Sequence, residues 1–318
     1  MLASLSPYSE EILAGLFDST YEVEVLTVPP AATQGAVRDV VAAADLVLGD
    51  KKRRHPIDRP LLQAMRRCRL IQQPAVGFDA IDHRAAAELG IPVANAAGYN
   101  REAVADWTVM AILNLLRWGA LRDRRMREGQ WPNEHSGTHE LGALTVGVVG
   151  MGNVGAAVVD RLRAFGCRLL FSDVIPRTLA GGVLLPLEEL LEQADVVTVH
   201  VPLDTGTRGL IDGAALRRMK RGAVLVNASR GPVVAERALI EALQEDRLAG
   251  AALDVFEVEP LDPGSPLRGM DNVFLSPHVA GVSEESEARL LETCAANMRR
   301  VLDGLEPLNV VNGVSRRS

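Results

Sequence analysis

The run T-V-G-V-V-G-M-G-N-V-G over residues 145–155 constrains this chain more than any other stretch. An apolar strand there passes directly into a turn with glycines at Gly150, Gly152 and Gly155, and residues 156–165 follow with helical spacing. A bare G-x-G-x-x-G recurs by chance, but strand, turn and helix in this order ask something different of each glycine. Gly150 permits a tight turn, Gly152 lets backbone N–H groups approach a pyrophosphate, and Gly155 lets the helix pack closely on the strand. The helix N-terminus then offers its partial positive charge to the phosphates. A second strand, 168–172, ends at Asp173, about 20 residues past the glycines, where a carboxylate can bond a ribose 2′-OH. The chain is predicted to bind a dinucleotide. Asp173 favours NAD over NADP, a preference that Arg177 nearby would soften.

Nearly half the chain precedes this fingerprint, enough for a further domain, and 318 residues suit two domains. With 47% hydrophobic and 24% charged residues, the composition is that of a globular protein with sizeable cores. A net charge of −7 argues against a nucleic-acid-binding surface. Cys68, Cys167 and Cys294 are scattered and odd in number, which disfavours a disulfide framework or a cysteine zinc site. No basic segment precedes the apolar stretches at the N-terminus, and no stretch has the length of a membrane span. No signal peptide is therefore expected, and the cytoplasm is the expected compartment.

The first part of the chain alternates strands and helices. Residues 21–28 alternate at period two, 45–48 and 69–72 are short apolar runs, and 91–94 is one more strand; 59–67 has helical spacing. This rhythm implies a parallel sheet covered on both faces. Residues 102–118 form a long helix whose buried stripe is read as Val104, Trp107, Ala111, Leu115 and Trp118. The polar, aperiodic segment 122–140 resembles an arm or linker. Beyond Asp173, further buried strands are expected at 196–201, 223–226, 250–255 and 272–275, with an amphipathic helix at 284–303.

Parallel sheets place ligands at the carboxyl ends of their strands. Arg230 stands just past one such strand, Asp254 and Glu259 past the next, and His278 past a third. Arg, Glu and His suit the oxidation of a 2-hydroxy acid. A guanidinium can grip a carboxylate, an imidazole can move the hydroxyl proton, and a carboxylate can orient that imidazole.

Together these segments resemble the D-isomer-specific 2-hydroxyacid dehydrogenase family, which includes phosphoglycerate, D-lactate, glyoxylate/hydroxypyruvate, formate and phosphite dehydrogenases. The resemblance spans nearly the whole chain. It runs through V-G-F-D-A-I-D at 76–82, G-I-P-V-A-N at 90–95, the glycine fingerprint and H-V-P-L at 200–203. It continues through M-K-R-G-A-V-L-V-N-A-S-R-G at 219–231 and the segments 254–260 and 276–281. The resemblance implies an α/β protein of two doubly wound parallel-sheet domains, a Rossmann-type coenzyme domain at 100–283 and a flavodoxin-like substrate domain built from 1–99 and 284–318. It also implies NAD as cofactor and a homodimer with the helix 102–118 at its interface. By resemblance Arg230 binds the substrate, His278 is the acid/base and Glu259 pairs with it. The cofactor set is Gly150, Gly152, Asn153, Val154, Gly155, Asp173, His200, Pro202, Thr207, Ala228, Ser229, Asp254 and Gly281, with Asp254 bonding the nicotinamide carboxamide. Backbone amides at Val76 and Gly77 would hold the substrate carboxylate, with Asn100 beside them. Ser229, Ala235 and Asp106 depart from the family's usual Ala, acidic residue and Glu, but none removes a catalytic group. Formate dehydrogenases carry Gln where this chain has Glu259, which disfavours that branch.

The basic run K-K-R-R-H at 51–55 follows a strand end. In phosphoglycerate dehydrogenases the corresponding loop binds a phosphate, so Lys52, Arg53 and Arg54 are candidates for a second anionic group on the substrate. A solvated basic turn is the alternative. His135 and His139 are four apart, but Ser136 and Gly137 between them argue for a loop, and no metal is expected. The activity implied is hydride transfer between NAD(H) and a 2-oxo/D-2-hydroxy acid. An NAD-sensing protein-interaction adaptor and a phosphite-type dehydrogenase are the alternatives.

Overall fold

Short β-branched and aliphatic runs, each closed by a turn or a helix cap, form two separate parallel sheets among the described residues, one of five strands and one of seven. The computed structural model describes residues 1–133, 137–175 and 181–315. Two compact units emerge, Met1–Asn100 with Ser283–Ser318, and Arg101–Val282. His135 and Arg177 fall outside the described residues.

In the first unit the strands are β1 (Leu2–Ser4), β2 (Val25–Thr27), β3 (Leu46–Leu48), β4 (Leu70–Gln72) and β5 (Val93–Ala94). They are parallel in the order β2-β1-β3-β4-β5, the flavodoxin-like winding. Oxygen caps start the flanking helices: Ser9 accepts from Ile12 N, Thr33 from Ala36 N, Asp58 from Leu61 N and Asp82 from Ala85 N. The chain returns as the helix Glu284–Leu302, opened by a reciprocal Ser283/Ser286 capping box. Its Leu290, Cys294, Met298 and Val301 pack with Leu2, Leu46, Leu48 and Leu70 on one face of the sheet. Burial pushes the Cys294 thiol up to about 12, so it behaves as an apolar side chain.

Three expectations shift here. The interior strand β1 covers Leu2–Ser4, where no strand was expected. The strand expected over 21–28 shrinks to Val25–Thr27, and ahead of it only the Glu24 carbonyl bonds to β1, accepting from Leu2 N at 2.8 Å. The helix expected over 59–67 ends at Ala64, since Met65 leaves the helical region at φ −80°, ψ 53°.

The second unit holds β6 (Thr145–Val149), β7 (Arg168–Ser172), β8 (Val183–Leu184), β9 (Val196–Val199), β10 (Ala223–Asn227), β11 (Leu248–Leu253) and β12 (Val273–Leu275). All are parallel in the order β12-β11-β10-β9-β6-β7-β8, so the winding reverses between β6 and β9. Helices Arg101–Arg117 and Asn153–Leu162 help cover one face, around Ile112, Val148, Val158 and Phe171. Helices Leu187–Gln193, Gly213–Arg218 and Glu236–Gln244 cover the other, around Leu190, Leu216, Leu225 and Leu239.

The long helix buries Val104, Ala105, Thr108, Ala111, Ile112 and Leu116. Trp107 and Leu115, expected at the centre of its stripe, are only half-buried, and Trp118 ends the helix in the left-handed region at φ 55°. The segment read as an arm, 122–140, begins inside a further helix, Gly119–Arg127, which buries none of its residues. No helix among the described residues is long and apolar enough to cross a membrane.

Candidate active site

The glycine turn sits where β6 ends, at the reversal of the second sheet. Gly150 has φ +92°, and a Cβ there would stand 2.7 Å from the His200 carbonyl oxygen. A Cβ at Gly155 would meet the Gly150 carbonyl at 2.0 Å, so only glycine allows the helix to approach the strand this closely. Gly152 caps the helix Asn153–Leu162 and has nothing within 4 Å of its Cβ direction, which leaves open space at the amide-bearing end. Asn153 and Val154 form the first helical turn there. Asp173 bridges back across the turn, its two carboxylate oxygens accepting from Met151 N at 2.6 Å and Ile175 N at 2.8 Å. An open, donor-rich helix end with a fixed acid beside it fits a dinucleotide.

At the end of β9, His200 donates its N–H to Val149 O at 2.7 Å, and its Nε2 is 2.9 Å from Thr198 Oγ1. Burial lowers its pKa to about 3, so the ring is neutral, and its buried Nδ1 has no partner among the described residues. Pro202 and Thr207 close the next loop, where Thr207 Oγ1 donates to Pro202 O at 2.6 Å.

The ends of β10, β11 and β12 bring the expected polar residues together. Asn227 shapes the first loop: its Nδ2 donates to Arg230 O at 3.0 Å, and its Oδ1 accepts from Ser229 N at 3.0 Å and Ser229 Oγ at 2.8 Å. This holds Ala228 and Ser229 in a tight bend and points the chain into Arg230, whose Nη1 donates to Ser229 O at 2.7 Å. Gly231 then touches the β11 loop, because a Cβ there would fall 1.9 Å from the Phe256 carbonyl carbon and oxygen.

On the β11 loop, Glu259 Oε1 accepts from Phe256 N at 3.2 Å, and Glu259 Oε2 is 2.7 Å from His278 Nδ1. A cis peptide joins Glu259 to Pro260. His278 adopts φ +57°, an uncommon region for a non-glycine residue. Asp254 stabilises that turn. Its carbonyl accepts from His278 N at 2.8 Å, and its carboxylate accepts from Ser276 Oγ and from Val279 N and Ala280 N, both at 2.8 Å. Gly281 completes the turn. Burial raises the Asp254 carboxyl above its ordinary value, with the Ser276 and backbone donors opposing it. His278 and Glu259 are 39% and 33% exposed, so a small molecule can reach the imidazole. With Nδ1 turned to the carboxylate, Nε2 is the ring nitrogen left for proton exchange. Sequence reasoning missed Asn227 and Ser276. Both stand inside the quoted motifs, but their role depends on loops folding back on them.

In the first unit, the loop after β4 carries Val76 and Gly77, whose backbone N–H groups have no acceptor among the described residues. Asn95 Nδ2 fixes that loop by donating to Val76 O at 2.7 Å. Asn100 closes the unit ahead of the long helix. Most of the basic run proves to be engaged locally. Asp50 Oδ2 accepts from Arg54 N at 2.7 Å, from His55 N at 3.2 Å and from Arg54 Nε at 3.3 Å, while Oδ1 accepts from Lys52 N at 3.0 Å. Burial raises the Asp50 carboxyl, but these donors outweigh it and hold it below the usual carboxylate range. Arg53 is 3.5 Å from Asp79, and Lys51 pairs with Glu287. The Lys52 ammonium has no ion-pair partner among the described residues.

Two flavodoxin- and Rossmann-type sheets, a dinucleotide turn and an Arg/Glu/His set at strand ends define an NAD-dependent dehydrogenase of small acids. Residues 109–280 match the family model described as D-isomer specific 2-hydroxyacid dehydrogenase, NAD binding domain. The chain is 43% identical over 265 residues to a glyoxylate reductase of Korarchaeum cryptofilum, covering 81% of this chain and 80% of that protein. It is 39% identical over 256 residues to an (S)-sulfolactate dehydrogenase of Chromohalobacter salexigens, covering 79% and 83%. Among solved structures it is similar to the TT0316 protein of Thermus thermophilus, with a TM-score of 0.87, 35% identity and coverage of 98% and 99%. The chain belongs to the D-isomer-specific 2-hydroxyacid dehydrogenase family. It is an NAD-dependent oxidoreductase acting on a small 2-oxo or 2-hydroxy acid.

Proposed function

We propose that this enzyme reduces a small monoanionic 2-oxo acid, of glyoxylate or hydroxypyruvate size, to its hydroxy acid with NADH. The nicotinamide supplies the hydride. His278 donates the proton to the carbonyl oxygen, Glu259 orients the imidazole, and Arg230 binds the carboxylate and carbonyl. The observation that carries the chemistry is the 2.7 Å His278–Glu259 contact. Gly150, Gly152, Asn153, Val154 and Gly155 hold the pyrophosphate, Asp173 the ribose, and Asp254 the carboxamide. His200, Pro202, Thr207, Ala228, Ser229 and Gly281 line the cofactor. The unit Arg101–Val282 is accordingly the coenzyme domain and the other unit the substrate domain, where the Val76 and Gly77 amides hold the substrate carboxylate.

Substrate size follows from the basic run. Arg53 and Arg54 already face Asp79 and Asp50, and a relative is named a glyoxylate reductase. A doubly charged substrate is the second reading. It is favoured by Lys52, whose ammonium has no ion-pair partner among the described residues, and a relative is named for sulfolactate, which carries a sulfonate beside its carboxylate. We place the enzyme in the cytoplasm as a homodimer. No residue of the helix Gly119–Arg127 is buried, and Met110, Met126 and Trp131 are exposed.

The test is NADH oxidation over glyoxylate, hydroxypyruvate, pyruvate, phenylpyruvate, phosphonopyruvate and 3-phosphohydroxypyruvate. Highest kcat/KM on glyoxylate or hydroxypyruvate is expected. Highest kcat/KM on a phosphorylated or phosphonate substrate would favour the second reading, and no turnover on any would overturn both.

A further inference from the structure

The first sheet reverses its winding between β1 and β3. Open parallel sheets bind ligands outside the carboxyl ends of their strands at such a reversal. Here that position is occupied by a specific set of side chains. Ser6, just after β1, accepts the Lys51 N–H at 3.0 Å, and Lys51 itself follows β3. The Lys51 ammonium pairs with Glu287 on the first turns of the returning helix, and the other Glu287 oxygen accepts the Tyr8 hydroxyl at 2.6 Å. Lys51 and Glu287 are 26% and 36% exposed, so both ends of the pair remain accessible. Burial pulls the Glu287 carboxyl up, but the bonds from Lys51 and Tyr8 outweigh it and hold the group below its ordinary range.

The same sheet edge carries the Val76–Gly77 amides. Gly49 N donates to Gln72 O at 2.9 Å, and Arg53 reaches Asp79 at 3.5 Å, so the loops after β3 and β4 run side by side. A half-exposed ion pair contributes little to stability. Stability alone is therefore a weak reason for a Lys–Glu–Tyr set at this place.

We infer that Lys51 and Glu287 form a specificity filter for the far end of the 2-oxo acid, accepting an uncharged hydrogen-bonding group and rejecting a second anion. This rests on Val76 and Gly77 holding the substrate carboxylate, as proposed above. A hydroxyl can accept from the ammonium and donate to the carboxylate at once. A second carboxylate or phosphonate gains Lys51 only by displacing Glu287, and it then faces a like charge. Glu287 thus masks a cation that would otherwise recruit dianions.

The measured quantity is kcat/KM for oxaloacetate and phosphonopyruvate divided by kcat/KM for hydroxypyruvate. It is compared in wild type, Glu287→Gln and the double variant Lys51→Met/Glu287→Gln. The wild type is expected to favour hydroxypyruvate. Glu287→Gln should raise the ratio by about tenfold or more, and removing Lys51 as well should abolish the gain. An unchanged ratio in Glu287→Gln, a gain that survives without Lys51, or a wild type that prefers dianions overturns the filter. Should Glu287→Gln not fold, Lys51→Met decides. With Glu287 unopposed the ratio must fall by about tenfold, and an unchanged ratio overturns the proposal. Wild-type inactivity on every 2-oxo acid would overturn the proposed function as well, whereas altered ratios in active variants bear on the filter alone.

Discussion

Gly231 and Phe256 touch through their backbones: a single added Cβ at 231 would fall 1.9 Å from the Phe256 carbonyl carbon and oxygen. Gly231 follows Arg230, and Phe256 donates its N–H to Glu259 at 3.2 Å. One missing side chain therefore sets the spacing between the loop that carries the guanidinium and the loop that carries the carboxylate. Gly231→Ala must push those loops apart. A displacement of about 1 Å at a reacting centre can cost about 100-fold, so kcat/KM should fall by that order. NADH affinity, followed by fluorescence titration, should fall far less than kcat/KM, because the glycine turn and Asp173 stand at other strand ends. Wild-type kcat/KM in Gly231→Ala would remove the spacing argument.

Asp173 is expected to set the cofactor preference. Its carboxylate is anchored by Met151 N and Ile175 N, so it cannot swing away from a 2′-phosphate. Close like charges cost several kcal/mol. The ratio of kcat/KM for NADH over NADPH should exceed about 100 in the wild type and collapse in Asp173→Ala. Comparable values for the two cofactors in the wild type would contradict this.

Asp50 gives a prediction for pH. Its carboxyl titrates below the ordinary value in the folded state. Its stabilising contribution is thus complete above the unfolded value of about 4 and disappears as pH falls through the folded one. Asp50→Asn should unfold more easily at neutral pH, by about 1–3 kcal/mol for weakened buried acceptors. The gap to wild type should close below about pH 4. Urea melts across pH measure it, and a gap that is constant or grows in acid would refute the assignment.

The coenzyme unit was the more legible half. Its strands β6, β9 and β10 are apolar runs of four or five residues, fully buried, and Gly150 and Gly155 answer steric demands visible in the spacing. Arg230, Glu259 and His278 could be found because each follows such a strand. The first unit was harder to read, since β1, β3 and β4 have three residues each and β1 has no upstream punctuation. The helix Gly119–Arg127 escaped notice because it has no apolar stripe. The partners of the basic run were hidden for a different reason. What neutralises Lys51 is Glu287, 236 residues away in sequence, and only the return of the chain to its first unit brings the two together.

The central claim is that Glu259 acts through His278 in proton transfer, and a double-mutant cycle tests it most directly. Rates of NADH-dependent glyoxylate reduction would be measured in wild type, His278→Ala, Glu259→Gln and the double variant, with NADH affinity as a control. The account predicts that His278→Ala lowers kcat by about 10²–10⁴-fold. It further predicts that Glu259→Gln, costly alone, costs almost nothing once His278 is gone. Fully additive losses, or a His278→Ala enzyme that keeps wild-type kcat, would contradict it.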